Sequence, residues 1–195
     1  MNRFIATTLL AIGLLAAGMV LPAIAQTAAP AARPAGFRVT SPTFRGTLPS
    51  QHVYKGFGCD GGNVSPAVSW SGAPAGTKSF AVTIYDPDAP SGSGWWHWTV
   101  FDIPPTATNL AAGAGNPEGK GLPAGAMQGR TDFGSNGFGG ACPPPGDRPH
   151  RYILTVYALK TGRLPLDASA PGAMVGYYLN ANVLAKARIV AHYGR

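Results

Sequence analysis

Residues 78–90 read Lys-Ser-Phe-Ala-Val-Thr-Ile-Tyr-Asp-Pro-Asp-Ala-Pro, and residues 97–103 read His-Trp-Thr-Val-Phe-Asp-Ile. Phe80, Val82 and Ile84 alternate with Ala81, Thr83 and Tyr85, which is the period of a strand. Both sets are apolar enough to be at least partly buried, so this strand has cover on both faces. Asp86-Pro87-Asp88-Ala89-Pro90 ends it abruptly, because proline has no N–H for a ladder. His97 to Ile103 forms the next strand, stopped by Pro104-Pro105. If the two pair antiparallel, the exit of the first lies beside the entry of the second.

Working outward, His150 to Leu159 is the longest strand. Ile153, Thr155, Tyr157 and Leu159 take one face; Tyr152, Leu154, Val156 and Ala158 take the other. Both faces are apolar, which predicts a central position. Phe37 to Ser41 and Val68 to Trp70 are shorter candidates, ended by Pro42 and by Gly72 and Pro74. Residues 104–149 read mostly as loop. Near the C-terminus the period changes. Met174, Tyr177, Tyr178, Ala181 and Ala185 recur at helical spacing, which predicts an amphipathic helix over Ala173–Ala187 with this stripe in the core. Ile189 to Tyr193 is a candidate closing strand. The fold class is mainly β.

The 195 residues include 27 Gly and 19 Pro, and only 12% are charged. Aromatic content excludes a disordered chain, and two cysteines exclude a disulfide-dense scaffold. The formal charge of +7 is scattered, with no basic run, so nucleic acid is not an expected partner. A mild positive field suits a small anionic ligand or an anionic surface.

Residues 1–25 read as a secretory signal. Arg3 gives the positive start, Phe4 to Leu21 the apolar run, and Ala23-Ile24-Ala25 the cleavage site. An uncleaved anchor is the alternative reading; cleavage leaves no stable membrane anchor and a charge of +6. Residues 26–35 form an Ala/Pro-rich linker, and residues 36–195 the folded domain. A periplasmic or secreted location follows. There Cys59 and Cys142 are expected to form one disulfide. A free buried pair or a catalytic thiol are the competing readings.

Several motifs fail on chemistry. Gly56, Gly58 and Gly61 spell G-x-G-x-x-G, but Asn63-Val64-Ser65-Pro66 follows and opens no long helix. Asp132-Phe133-Gly134 matches a kinase triplet without the other kinase signatures. No G-x-S-x-G is present. What survives is polar and lies at strand ends. Asp86, His97, His150 and Tyr152 are brought to one end of the sheet, and a glycine-rich loop leads into His150. Such a loop can offer backbone N–H groups to an anion. The bland alternatives are hydrogen-bonded core histidines and turn-forming aspartates.

Asp86-Pro87-Asp88-Ala89-Pro90, His97-Trp98, and Gly139-Gly140 through Pro143-Pro144-Pro145-Gly146 to His150-Arg151-Tyr152 resemble the signature of the phosphatidylethanolamine-binding protein family. Asn63-Val64-Ser65-Pro66 and Gly176-Tyr177 to Asn180-Ala181-Asn182 are similar to its bacterial Raf-kinase-inhibitor-like branch. The resemblance spans nearly all of residues 36–195. It implies a large central antiparallel sheet packed with a smaller sheet, and peripheral helices. It implies an anion pocket accepting phosphate, acetate or a phosphoethanolamine head group. By motif, Asp86, His97, His150 and Tyr152 are the pocket side chains. Gly140, Ala141 and Cys142 supply backbone donors, and Asp88 and Pro90 shape the turn. The pocket so implied holds no metal or other cofactor.

Asp86 would repel a phosphate. Either His97 and His150 are protonated beside it, or Asp86 meets the ammonium of an ethanolamine head. The function expected is anion binding coupled to binding or inhibition of an unidentified protein partner. A hydrolase using a His/Asp acid–base pair is the alternative, and it lacks a convincing activated nucleophile. A metal site built from His97, His150 and Asp86 ranks third.

Overall fold

The computed structural model describes residues 36–195. The expected signal at 1–25 and linker at 26–35 lie outside the described residues. In chain order the elements are β1 (Arg38–Thr40), β2 (Gly46–Thr47), a 3-10 turn (Ser50–His52), β3 (Lys55–Gly56), β4 (Cys59–Asp60), β5 (Val68–Ser71) and β6 (Ser79–Asp86). There follow β7 (Trp95–Ile103), β8 (Asn109–Leu110), β9 (Met127–Gln128), β10 (His150–Leu159), α1 (Gly172–Asn182) and β11 (Val183–Tyr193).

Strands β2-β11-β10-β6-β7-β9 hydrogen-bond in that order into a six-stranded sheet. Every pairing is antiparallel except β2 with β11, so the large sheet is mixed rather than wholly antiparallel. The exception is a two-residue contact of Gly46 and Thr47 with Ala191 and His192. A smaller sheet, β1-β5-β8, covers one face, and β3 and β4 form a separate hairpin.

β10 has the bounds its sequence predicts and lies between β11 and β6. Its two-sided apolarity is used on both faces. Tyr152, Leu154, Val156 and Ala158 join Val82, Ile84 and the small sheet's Val39 and Trp70 in the inter-sheet core. Tyr157 and Leu159 meet Ala81, Phe101, Val175 and Leu179 beneath α1. The 104–149 segment carries only the two-residue strands β8 and β9.

The C-terminal stretch departs from its predicted form. The helix ends at Asn182, and β11 begins at Val183 instead of near Ile189. Ala185 therefore lies in a strand. The helix buries Gly172, Val175, Gly176 and Leu179, while Met174 and Tyr177 are exposed. Within α1 only Tyr178 of the Met and Tyr stripe packs against the core, so the stripe as a whole is not the packed face. Gly172 and Gly176, four residues apart, lie against the Trp96 ring, where an added Cβ would meet it at 2.3 and 3.1 Å. Small residues bring the helix close to the sheet, a signal that a search for apolar residues does not register.

Candidate functional site

Three strand termini build the site. β6 ends at Asp86, which pairs with Trp95 at the start of β7. On the other side of β6, Ile153 of β10 pairs with Tyr85, so His150 and Tyr152 arrive at the same sheet end. β7 begins at Trp95, two residues before the expected start. Ile84 pairs with Trp98 and its neighbour Tyr85 with Trp96, so His97 is an extra residue in β7. The bulge resets the alternation: Trp96 packs against α1 while Trp98 enters the inter-sheet core. It turns the His97 ring toward Tyr152, 5.1 Å away in an edge-on contact.

Asp86 and His150 are both buried, and His150 Nδ1 donates to Asp86 Oδ2 at 2.8 Å. The other carboxylate oxygen accepts the Asp88 N–H at 2.8 Å, which closes the turn. His150 Nε2 lies 3.2 Å from Asp147 Oδ2, so both ring nitrogens face carboxylates. A carboxylate only accepts, so both contacts are hydrogen bonds at once when the ring carries two protons. Asp88 is held from outside: Arg151 Nε and Nη2 each donate to it at 2.8 Å, and Arg148 at 3.0 Å. The Arg151 hydrogen bond leads in holding the Asp88 carboxyl well below the usual range. Asp88 thus acts in the turn.

His97 Nδ1 donates to Gly139 O at 2.7 Å. Burial pushes its pKa below the ordinary value and outweighs the opposing pull of the Gly139 carbonyl and Asp86. The ring is therefore neutral at pH 7, with Nε2 left as an acceptor. Of the two ways in which Asp86 could tolerate an anion, this direction at His97 speaks for the ammonium contact over a pair of protonated histidines. Burial also raises the Tyr152 pKa, so the hydroxyl keeps its proton. Among the described residues the Tyr152 hydroxyl and the Trp95 indole N–H are buried with no hydrogen-bond partner. Each such orphan costs about 1–3 kcal/mol unless something fills it.

These groups border a cavity of about 140 Å³ with Phe57, Ala89, Pro90, Phe133, Cys142, Pro143 and Pro144 completing the wall. Four of the expected pocket side chains, Asp86, His97, His150 and Tyr152, therefore share one chamber, and Pro90 and Cys142 line it as well. Gly140 and Ala141 do not. The Gly140 N–H donates to Asn63 Oδ1 at 2.7 Å and the Ala141 N–H to His52 O at 3.0 Å. The expectation that this loop offers these donors to an anion is corrected, because both amides are consumed in anchoring the loop. Cys142 is bonded to Cys59, with Cα atoms 6.0 Å apart, so the expected disulfide is present.

Phe57, Trp95 and Phe133 went unread as site residues. Phe57 lies within the failed glycine motif and Phe133 within the failed kinase triplet. Their shared signal is an aromatic residue in a glycine-rich loop. Among the described residues no group of three or more His, Cys, Asp or Glu side chains is arranged to hold a metal ion.

Comparison with known proteins agrees with this architecture. YbcL of Escherichia coli is 58% identical over 164 residues, 83% of this chain and 90% of that protein. YbhB of the same organism is 51% identical over 146 residues, 75% of this chain and 91% of its own length. A Mycobacterium tuberculosis protein named putative lipoprotein LppC is 34% identical over 169 residues, 87% of this chain and 77% of that one. The crystal structure of YbcL, described as a new member of the mammalian PEBP family, superposes with a TM-score of 0.81 over 83% of this chain and 99% of that one. The family model for phosphatidylethanolamine-binding protein matches residues 40–194, which include every strand terminus that builds the cavity. A chain with these relatives, and with the family's pattern running from the end of β1 through β11, belongs to the phosphatidylethanolamine-binding protein family.

Proposed function

We propose that this protein binds small anions outside the cytoplasm, taking phosphate, acetate or a phosphoethanolamine head group. In this reading it acts by binding or inhibiting a partner protein rather than by turning over a substrate. The observation that carries the reading is the pair of orphaned donors, Tyr152 O–H and Trp95 Nε1–H, at a cavity that also holds His97 and the Asp86–His150 pair. A buried donor without an acceptor is a place for a ligand oxygen. The name of the family supports a phosphoethanolamine head as the ligand. With His97 neutral, Asp86 is better placed to meet the ammonium of that head than to support a charged His97. An extracytoplasmic location is supported by the signal-like sequence at 1–25, by the Cys59–Cys142 disulfide, and by the lipoprotein name of one relative.

Titration with O-phosphoethanolamine, followed by NMR of the histidine ring protons, tests this reading. Saturable shifts at His97 and His150, lost in His150→Ala, are expected. Asp86→Ala should weaken phosphoethanolamine more than inorganic phosphate. No shift at millimolar ligand would overturn the proposal.

A hydrolytic reading is favoured by one observation, the buried 2.8 Å His150–Asp86 contact. Against it, the other ring nitrogen is turned to Asp147, and the cavity wall has no serine, threonine or free thiol. Ester turnover abolished by His150→Ala would establish it.

A further inference from the structure

Strand β11 is an open edge for most of its length. On the side away from β10 it is paired only at Ala191 and His192, by the short strand β2. Among the described residues nothing pairs with that side from Val183 to Val190. Its neighbours fix the direction of the free groups. His192 O accepts the Leu48 N–H, on the β2 side. Arg151, opposite His192, sends its N–H the other way, to Asp88 beyond the end of β6. Backbone direction repeats every second residue of a strand. The N–H and C=O groups of Lys186, Arg188 and Val190 therefore also point off the sheet.

An open edge is a template for another strand, and proteins commonly guard it with charge. Here the guard has one sign. Lys186, Arg188 and His192 lie on the outer face of β11, and among the described residues no ion pair includes any of them. All 8 Asp and Glu residues fall between Asp60 and Asp167. Strands β1, β2 and β11 and helix α1 thus carry no acid, while Arg38, Arg45, Lys186 and Arg188 are exposed. Burial, and then the Arg188 charge beside it, push the Lys186 ammonium below its ordinary value. The inner face of the edge is apolar. Ala185 and Ile189 pack against the inter-sheet core yet are only partly buried, so that core reaches the edge unfinished.

These features select the occupant. Free N–H and C=O groups at strand spacing are matched by another polypeptide, as in strand addition, and not by a lipid surface or a nucleic acid. The outer face takes carboxylates, and the inner face takes apolar side chains. A second copy pairing through its own β11 would set basic residues against basic residues, which is destabilising across a strand pair.

We propose that the free edge of β11 binds an extended acidic segment of a partner protein. The segment adds as a further strand, with carboxylates beside Lys186 and Arg188 and apolar side chains beside Ala185 and Ile189. The inference rests on the partner-binding half of the proposed function and gives that partner a surface apart from the anion cavity.

The probe is a capped, fluorescently labelled peptide of alternating glutamate and valine, titrated into the oxidised protein at low salt and followed by anisotropy. One control carries lysine in place of glutamate. A second is the glutamate peptide N-methylated at every amide, which keeps the charge and removes the donors. Only the unmethylated glutamate peptide should bind, and Arg188→Glu should weaken it about tenfold, since one exposed attraction becomes a repulsion. Thermal melting checks that the exposed substitution leaves the fold intact. In the wild type, hydrogen exchange should slow on binding at the amides of Lys186, Arg188 and Val190, the ones that point off the sheet.

Equal binding by the N-methylated peptide would overturn the proposal, because the attraction would then be charge alone. No binding at millimolar glutamate peptide would also overturn it, leaving Lys186 and Arg188 as guards of an unused edge. Protection of the same amides that rises with protein concentration, without peptide, would overturn it by giving the edge to a second copy. The partner reading itself fails by a different result, ester turnover lost in His150→Ala, which is read in the cavity and not at these amides.

Discussion

Burial leaves His97 and His52 with pKa values below the ordinary 6.5, because each ring is taken from water. His52 is fully buried, with Nδ1 donating to Val64 O and Nε2 beside the Thr43 hydroxyl. In the unfolded chain both rings titrate near 6.5 and bind a proton more readily. Their contribution to stability is therefore present above pH 6.5 and lost as pH falls through the lowered folded values. Asp88 adds a second loss at lower pH, since below about 3.8 the unfolded carboxyl takes up a proton that the folded, Arg151-bound carboxylate resists. Melting temperature should thus fall between pH 8 and pH 5, before most carboxylates titrate. His97→Gln should be less stable at pH 8 yet lose less on acidification; an unchanged pH slope would sink this account. The sequence located Asp86, His97, His150 and Tyr152, because strand ends are marked by proline and by loss of alternation. It could not disclose the charge on His97, nor that Asn63 and His52 use the Gly140 and Ala141 amides. Those facts depend on burial and on partners 77 and 89 residues away.

At the scale of elements, β6 and β10 were legible because both faces of each are buried and both end at sharp breakers. The helix and β11 were harder. Alanines at 181, 185 and 187 favour helix intrinsically, yet β11 pairs with β10 from His150 opposite Tyr193 to Leu159 opposite Val183. Along that strand Ala187 and Ala191 are buried while Leu184, Lys186, Arg188, Val190 and His192 face outward, a period of two. Tertiary pairing overrides propensity here. The packed face of α1 makes this testable. Leu179→Ala should cost about 2–5 kcal/mol, the range for a buried leucine. Gly172→Ala should also destabilise, despite the better helix propensity of alanine, because its Cβ would lie 2.3 Å from Trp96 Cγ. Met174→Lys and Tyr177→Ser should stay within about 0.5 kcal/mol of wild type. Urea unfolding of the four variants decides which face packs. A reversed order would restore the Met and Tyr stripe as the core face.

For the whole molecule, the long loop across 104–149 must be held against the sheet end without much regular structure of its own. Residues near Ala141 are fixed by a backbone bridge to Val53 and by the Asn63 side chain. The Arg195 guanidinium joins the Pro143 carbonyl to those of Phe57 and Gly58. The disulfide closes the same junction covalently, across 83 residues. Its effect therefore has two separable parts. Constraint of the unfolded chain acts on global stability: a loop of this length corresponds to about 4–5 kcal/mol in the chain-entropy model. That would lower the melting temperature by roughly 10–15 °C for a domain of this size. Constraint of the folded lip acts on the cavity, since Cys142 lines it and Cys59 anchors the turn carrying Phe57. Replacing both cysteines by serine should reproduce the stability loss and abolish any further effect of dithiothreitol. If the Arg195 contacts and the Phe133 stack hold the lip by themselves, ligand affinity in that variant stays within threefold of wild type at a temperature where it remains folded. A much larger loss of affinity in the folded variant would instead make the disulfide the member that shapes the site.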